Sequence, residues 1–207
     1  MTDMRIDWAK RAFTAVLMAC LGLLVLMCAE GSTIIRWTAE VANPRQNESL
    51  FLESRGDGVI FIGGEGKLYG TDMQALVEGN RYSQNDVTDI IIGSGITEIG
   101  FNAVRLYEGV QSIWLGPDVR TIGNGAIREC PNLRYIFLPK GLARAGKDFL
   151  FDCEGCMVIT DGPAEDLPRL RNVKKDMIYG DVDSYDALVA ALGPDVSPPE
   201  ILRQWWQ

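Results

Sequence analysis

Three consecutive stretches of 23 residues superimpose without a gap: Val87 to Gly109, Val110 to Asn132, and Leu133 to Gly155. Their first position holds Val87, Val110 and Leu133, and their fourth holds Ile90, Ile113 and Ile136. The sixth holds Ile92, Leu115 and Leu138; the tenth holds Ile96, Val119 and Leu142. Gly100, Gly123 and Gly146 share the fourteenth. A unit this short cannot enclose its own apolar side chains, so copies must stack and share one interior. The period therefore predicts a solenoid, a fold that usually works by offering a surface to a partner.

Each unit opens on a strand pattern. In Val110-Gln111-Ser112-Ile113-Trp114-Leu115 the fourth and sixth residues are apolar in every copy, so alternation sends them inward and the fifth outward. Pro117-Asp118 and Lys140-Gly141 mark the following turn, and Val119 with Ile122 returns the chain to the core. The shared glycine permits a bend, and a short 3₁₀ or helical piece is expected to carry Ala126-Ile127 or Phe149-Leu150 inward.

Upstream, Ser49 to Glu53 and Gly58 to Ile62 read as strands around Arg55-Gly56-Asp57-Gly58, a hairpin turn. The turn spells Arg-Gly-Asp, a tripeptide that some adhesion receptors recognise, but turn chemistry alone accounts for it. Gly63-Gly64-Glu65-Gly66 lacks the Gly-Lys-Ser/Thr of a phosphate loop and reads as a tight bend. A fourth copy begins at Cys156-Met157-Val158-Ile159 and fails where Asp161, Glu165 and Pro168 fall on apolar columns. The array then needs a cap. Asp183-Ser184 opens a helix with Tyr185, Leu188, Val189 and Leu192 on its apolar face, stopped by Gly193-Pro194. Ser197-Pro198-Pro199-Glu200 is a capping box opening a last short helix, with Ile201, Leu202 and Trp205 on one face and Trp206 on another.

The column order Val-x-x-Ile-x-Leu-x-x-x-Val-x-x-Ile-Gly-x-x-Ala-Ile-x-x-Cys at Val110 to Cys130 resembles the BspA-like leucine-rich repeat of bacterial surface proteins. The likeness covers residues 87–155 and extends more loosely back to the glycine-rich hairpin at Gly58 to Leu68. Met177-Ile178-Tyr179-Gly180 is similar to the closing element of such arrays. The unit departs from the pattern at Tyr107, Ile127 and Ala145. The resemblance implies a secreted or surface-attached interaction module with a role in adhesion or host contact.

At the front, Ala12 to Ala29 runs without a charge, long enough to extend roughly 27 Å as a helix. Arg5, Lys10 and Arg11 precede it and the next basic residue is Arg36, which places the N-terminus inside and the rest outside. An uncleaved signal anchor is one reading; a signal peptide cut after Ala29-Glu30-Gly31 is another. A third is a pilin-like leader at Lys10 to Thr14, which has Ala12 for the usual Gly and Leu17 for the usual Glu. All three export the repeats. Asn47-Glu48-Ser49 is a glycosylation sequon.

Twenty basic against 28 acidic residues give a formal charge of −8, which argues against nucleic acid as a partner. Histidine is absent, so no His-dependent triad, metal site or pH switch can be built from this chain. No acidic pair stands out for hydrolysis. Cys153-Glu154-Gly155-Cys156 is a CxxC that invites a thiol–disulfide oxidoreductase reading. Repeat register gives a plainer one: Cys153 shares column twenty-one with Cys130, and Cys156 falls on an apolar column. Cys130 and Cys153 would then stack roughly 5 Å apart, which permits a disulfide.

The expected architecture is mainly β: a short leucine-rich-repeat solenoid of 23-residue coils with an N-terminal hairpin cap, a C-terminal helical cap and a transmembrane helix. Its expected parts are a cytoplasmic stretch (1–11), the anchor or signal peptide (12–29), a linker (30–48), a hairpin and loop (49–86), the repeats (87–160) and the cap (161–207). The expected work is non-enzymatic, without metal or cofactor: binding a cell-surface protein or glycan, or building a surface assembly. Column five holds Ile91, Trp114 and Phe137; column three holds Asp89, Ser112 and Tyr135. Strands in register would line the first three into an outward apolar stripe, the expected contact surface. The competing expectation is that the tail, through Trp205-Trp206, folds back and covers it.

Overall fold

The computed structural model describes residues 47, 49–194 and 196–207. Residues 1–11, the apolar segment 12–29 and all of the linker 30–48 but Asn47 lie outside this set. Among the described residues no helix is long and apolar enough to cross a membrane.

β1 (Phe51–Gly56) and β2 (Val59–Gly63) form an antiparallel hairpin. Its two turn residues, Asp57 and Gly58, have φ of 48° and 82°, the left-handed pair that Asp-Gly supplies at least cost. β2 then behaves as a coil strand. It pairs in parallel with β4 (Asp89–Ile92), Ile60 opposite Ile90 and Phe61 opposite Ile91. Between them run β3 (Gly66–Leu68) and a helix, α1 (Gly70–Gly79). This helix stands where the sequence suggests a loop, although Met73, Leu76 and Val77 have the spacing of an apolar helix face. Asp72, buried, caps it by accepting the Tyr69 N–H at 2.8 Å and the Asn47 N–H at 3.2 Å.

Each repeat contributes three strands. The first has β4, β5 (Ile96–Ile99) and β6 (Val104–Arg105). The second has β7 (Ser112–Leu115), β8 (Thr121–Ile122) and β9 (Ile127–Arg128). The third has β10 (Tyr135–Leu138), β11 (Arg144–Ala145) and β12 (Leu150–Phe151). β13 (Met157–Thr160) and β14 (Ile178–Tyr179) close the array. The strands build three sheets in the orders β1-β2-β4-β7-β10-β13-β14, β11-β8-β5-β3 and β12-β9-β6. The result, among the described residues, is a β-solenoid with about four coils.

Register follows the columns: Ile90 faces Ile113, and Ile113 faces Ile136. Columns one, four, six and ten fill one interior, closed at the N-terminal end by Leu68, Met73 and Val77. Three local expectations differ. The expected 3₁₀ or helical pieces at Ile127 and Leu150 are short strands, because parallel pairing with the neighbouring coil satisfies their backbone groups. Ile136 pairs with Val158, so the third repeat is one residue shorter than the two before it. The final segment, Glu200–Trp206, is a 3₁₀ helix without the expected capping box; Glu200 binds Arg203 instead, at 2.6 Å.

At the corner after the third strand, Leu106, Glu129 and Asp152 all adopt positive φ, 62°, 56° and 56°. α2 (Tyr185–Leu192) begins where the Ser184 hydroxyl accepts the Ala187 N–H at 3.1 Å and ends at Gly193, whose φ is 86°.

Candidate functional site: the covered sheet face and the N-terminal groove

Column five does point away from the interior, yet it does not meet solvent. Ile91, Trp114 and Phe137 are 0%, 1% and 2% exposed. With Ile159 they form a second apolar cluster whose other half is the tail: Val182, Tyr185, Leu188, Leu192 and Leu202, with Trp205 and Trp206 against them. The Phe137 ring lies 5.6 Å from Trp205 and 5.7 Å from Trp206, centroid to centroid. The expected exposed stripe is thus corrected. A large apolar sheet face is stable in water only when covered, and the tail side chains from Val182 to Leu192 and from Ile201 to Trp206 cover it. Ser112 is buried and donates to Asp89, itself half-buried and bonded by the Thr88 hydroxyl at 2.8 Å. Tyr135 is half-buried beside the same cluster. The structure therefore brings all six expected contact residues together on one sheet face, with Ile91, Ser112, Trp114 and Phe137 buried and Asp89 and Tyr135 half-buried.

The tail carries its own polar bonds. Tyr185 Oη donates to the Pro198 carbonyl at 2.6 Å, Trp206 Nε1 donates to the Val182 carbonyl at 3.2 Å, and Arg203 sits 4.0 Å over the Tyr185 ring. Against the column-five side chains its contact is apolar. Trp114 Nε1, buried there, has no hydrogen-bond partner.

Three of the six large apolar side chains exposed among the described residues gather elsewhere. A groove of about 1140 Å³ opens between α1 and the Phe101–Tyr107 segment of the first coil. Tyr69, Phe101 and Leu106 stand on it, exposed to 39%, 56% and 47%. Glu78 and Arg105 add one charge of each sign to the lining, and Tyr107 lies buried beneath it. The Tyr107 hydroxyl has no partner by geometry, and burial pushes its pKa well above the usual phenol value. Tyr69 is held in place by its hydroxyl, 3.2 Å from the Glu98 carboxylate, which also binds Lys67 at 2.8 Å. The hydrogen bond from Lys67 keeps the Glu98 carboxyl below its ordinary range.

Sequence reasoning does not single out these residues, though a signal is present. Phe101 occupies the position of Asn124 and Lys147, and Leu106 that of Glu129 and Asp152. An apolar residue in an otherwise polar column is a departure that the fold does not require.

The remaining motifs have structural roles. Arg55 is folded back, bound to Glu53 at 2.6 Å and lying 5.2 Å over the Phe61 ring, so the exposed Arg-Gly-Asp turn does not present an extended arginine. The Asn47 side-chain amide donates to the Glu65 and Lys67 carbonyls at 2.6 and 3.2 Å, which commits the nitrogen a glycan would need. Cys156 is buried, and burial pushes its thiol up. Cys130 and Cys153 stack on adjacent coils, each donating to the carbonyl two residues earlier at 3.4 Å. Among the described residues no group of three or more thiols and carboxylates converges as a metal site.

No protein-family model matches the sequence, and no curated protein matches it. Among solved structures, the chain is similar to a leucine-rich repeat protein from Eubacterium ventriosum, with 13% identity and a TM-score of 0.28. The alignment covers 50% of this chain and 40% of that one, so this chain spans well under two thirds of that protein's length.

Proposed function

We propose that the chain is a BspA-like, membrane-tethered interaction module that holds a protein partner outside the cytoplasm, using the N-terminal groove. The observation that carries this reading is Leu106. It is a bulky residue held at positive φ, where L side chains are strained, and it is nearly half exposed. Neither the core nor the turn asks for leucine there, since Glu129 and Asp152 make the same corner with polar side chains. Beside Tyr69 and Phe101 it completes an apolar rim around a concave surface, the composition that protein contacts favour. The charge-free segment 12–29 supplies the tether, and the basic residues ahead of it set the orientation. The groove sets Glu78 and Arg105 beside that apolar rim, which supports binding through mixed apolar and charged contacts.

The test is site-specific photo-cross-linking in native membranes. A photoreactive residue at position 101 or 106 is expected to capture one discrete protein, which added wild-type protein competes away and a Phe101→Ala/Leu106→Ser variant does not. The same probe at Val189, exposed on the tail, serves as control. Capture of a glycan, or equal capture at Val189, would count against this reading.

A further inference from the structure

The two cysteines of column twenty-one sit on a corner where coils two and three are in strict parallel register. Ile127 pairs with Leu150 and Arg128 with Phe151, and the cysteines follow three and two residues later on both strands. Neighbouring strands lie about 4.8 Å apart, inside the Cα separation of about 4.4–6.8 Å that a disulfide spans. Both side chains adopt the same pose, each sulfur over the carbonyl two residues back. Cys130 is fully buried and Cys153 half-exposed, so a reagent from solvent meets Cys153 first.

We infer that Cys130 and Cys153 are a redox-responsive pair that closes into a disulfide between coils two and three, with Cys153 attacking and Cys130 resolving. The CxxC spacing suggests Cys156 as the partner of Cys153, but the fold places Cys156 in the core, its sulfur turned toward the Met157 carbonyl. Thiol chemistry agrees with the division of labour. The neighbouring Cys130 thiol holds the Cys153 thiol below its ordinary value. Cys153 beside it, and then burial, pushes Cys130 up.

The reaction balances with a small-molecule disulfide such as oxidised glutathione. The Cys153 thiolate attacks one glutathione sulfur, the S–S bond breaks, and a glutathione thiolate leaves to take up the proton Cys153 gave up. The mixed disulfide carries no charge on Cys153 sulfur, so the main influence holding the proton on Cys130 is removed. Cys130 then loses its proton and attacks the Cys153 sulfur, expelling the second glutathione thiolate. Two protein thiols are oxidised, and one glutathione disulfide is reduced to two thiols. The bond ties coil to coil across the corner and locks the third coil's final strand to the second.

The experiment treats the full-length protein in detergent with oxidised glutathione, blocks remaining thiols, digests with trypsin and maps linkages by mass spectrometry. The expected product joins peptide 129–134, which contains Cys130, to peptide 148–169, and fragmentation assigns the link to Cys153. It persists in Cys156→Ala and disappears in Cys153→Ala, and the melting temperature of the wild type rises on oxidation. Cys20 and Cys28 report on a separate peptide and do not confuse the map. An internal Cys153–Cys156 loop within peptide 148–169 would overturn the inference. So would Cys153 left at equilibrium as a stable glutathione adduct with Cys130 free. Both adverse results are readable in the wild type, so the outcome does not depend on any variant folding.

Discussion

The ring of Phe137, on the outward side of β10, meets the ring of Trp205 in the last helical turn with 5.6 Å between centroids. Neither residue belongs to the repeat interior; Phe137 is buried and Trp205 half-buried, each against the other's segment. The solenoid thus has two apolar layers, one within the coils and one between the largest sheet and the tail.

Trp205→Ala should open the second layer while leaving the first intact. Trp205 is only partly buried, so the loss is expected at about 2 kcal/mol, below the roughly 3–5 kcal/mol of a fully buried tryptophan. The observable is a lower denaturation midpoint, with increased binding of a hydrophobic dye and unchanged far-ultraviolet dichroism. A variant with wild-type stability and no extra dye binding would show that the tail does not cover Phe137.

Within the coils, Ile113 touches the equivalent isoleucine on either side and has no exposed surface. Ile113→Val should cost about 0.5–1.5 kcal/mol and Ile113→Ala about 2–5 kcal/mol, in that order, by chemical denaturation. Equal, small effects of the two changes would place the side chain outside a packed core.

Column fourteen offers a sharper comparison. A Cβ on Gly123 would find its nearest atom at 3.4 Å, whereas one on Gly146 would meet backbone of Gly123 and Asn124 at 2.4 Å. Gly146→Ala is therefore expected to cost about 1–3 kcal/mol through overpacking, and Gly123→Ala to change stability by less than about 1 kcal/mol. The reverse order in thermal melts would contradict the observed coil spacing.

Leu106→Asn separates stability from binding. Asparagine tolerates positive φ better than leucine, so stability should rise by about 0.5–1 kcal/mol. Partner capture at the groove should fall at the same time. Lower stability would mean that leucine packs there for the fold's sake.

Cys153 should be alkylated by iodoacetamide well before the other two described thiols. Its lowered pKa keeps thiolate present at a lower pH than an ordinary thiol, so its rate should fall off at lower pH than that of a free thiol measured alongside. Cys130 and Cys156, buried with raised pKa values, should react only after denaturation. Equal rates at all three sites would contradict the arrangement of the corner.

The repeat columns were legible because each apolar position is written three times, and Ile90, Ile113 and Ile136 check one another. The tail's docking was not, because Val182 to Trp206 is unique sequence with no second copy to fix its register. Tyr185 and Trp205 announce apolar faces, but an apolar face does not name what it will meet. The one-residue contraction between Ile136 and Val158 was hidden because Cys156 suits the apolar first column and is buried in the core all the same. At the groove, Leu106 and Phe101 break polar columns, but a single apolar residue in a polar column does not by itself mark a surface. The strain at Leu106 exists only in the folded backbone.

The fold rests on equivalent coils meeting in register, and isoleucine-methyl NMR on the folded protein tests that most directly. Ile113 should give strong methyl–methyl contacts to both Ile90 and Ile136, whose strands lie about 4.8 Å away on either side, and all three should be shielded from solvent relaxation agents. Missing contacts from Ile113 to both neighbours, or methyls open to the relaxation agent, would contradict the stacked coil.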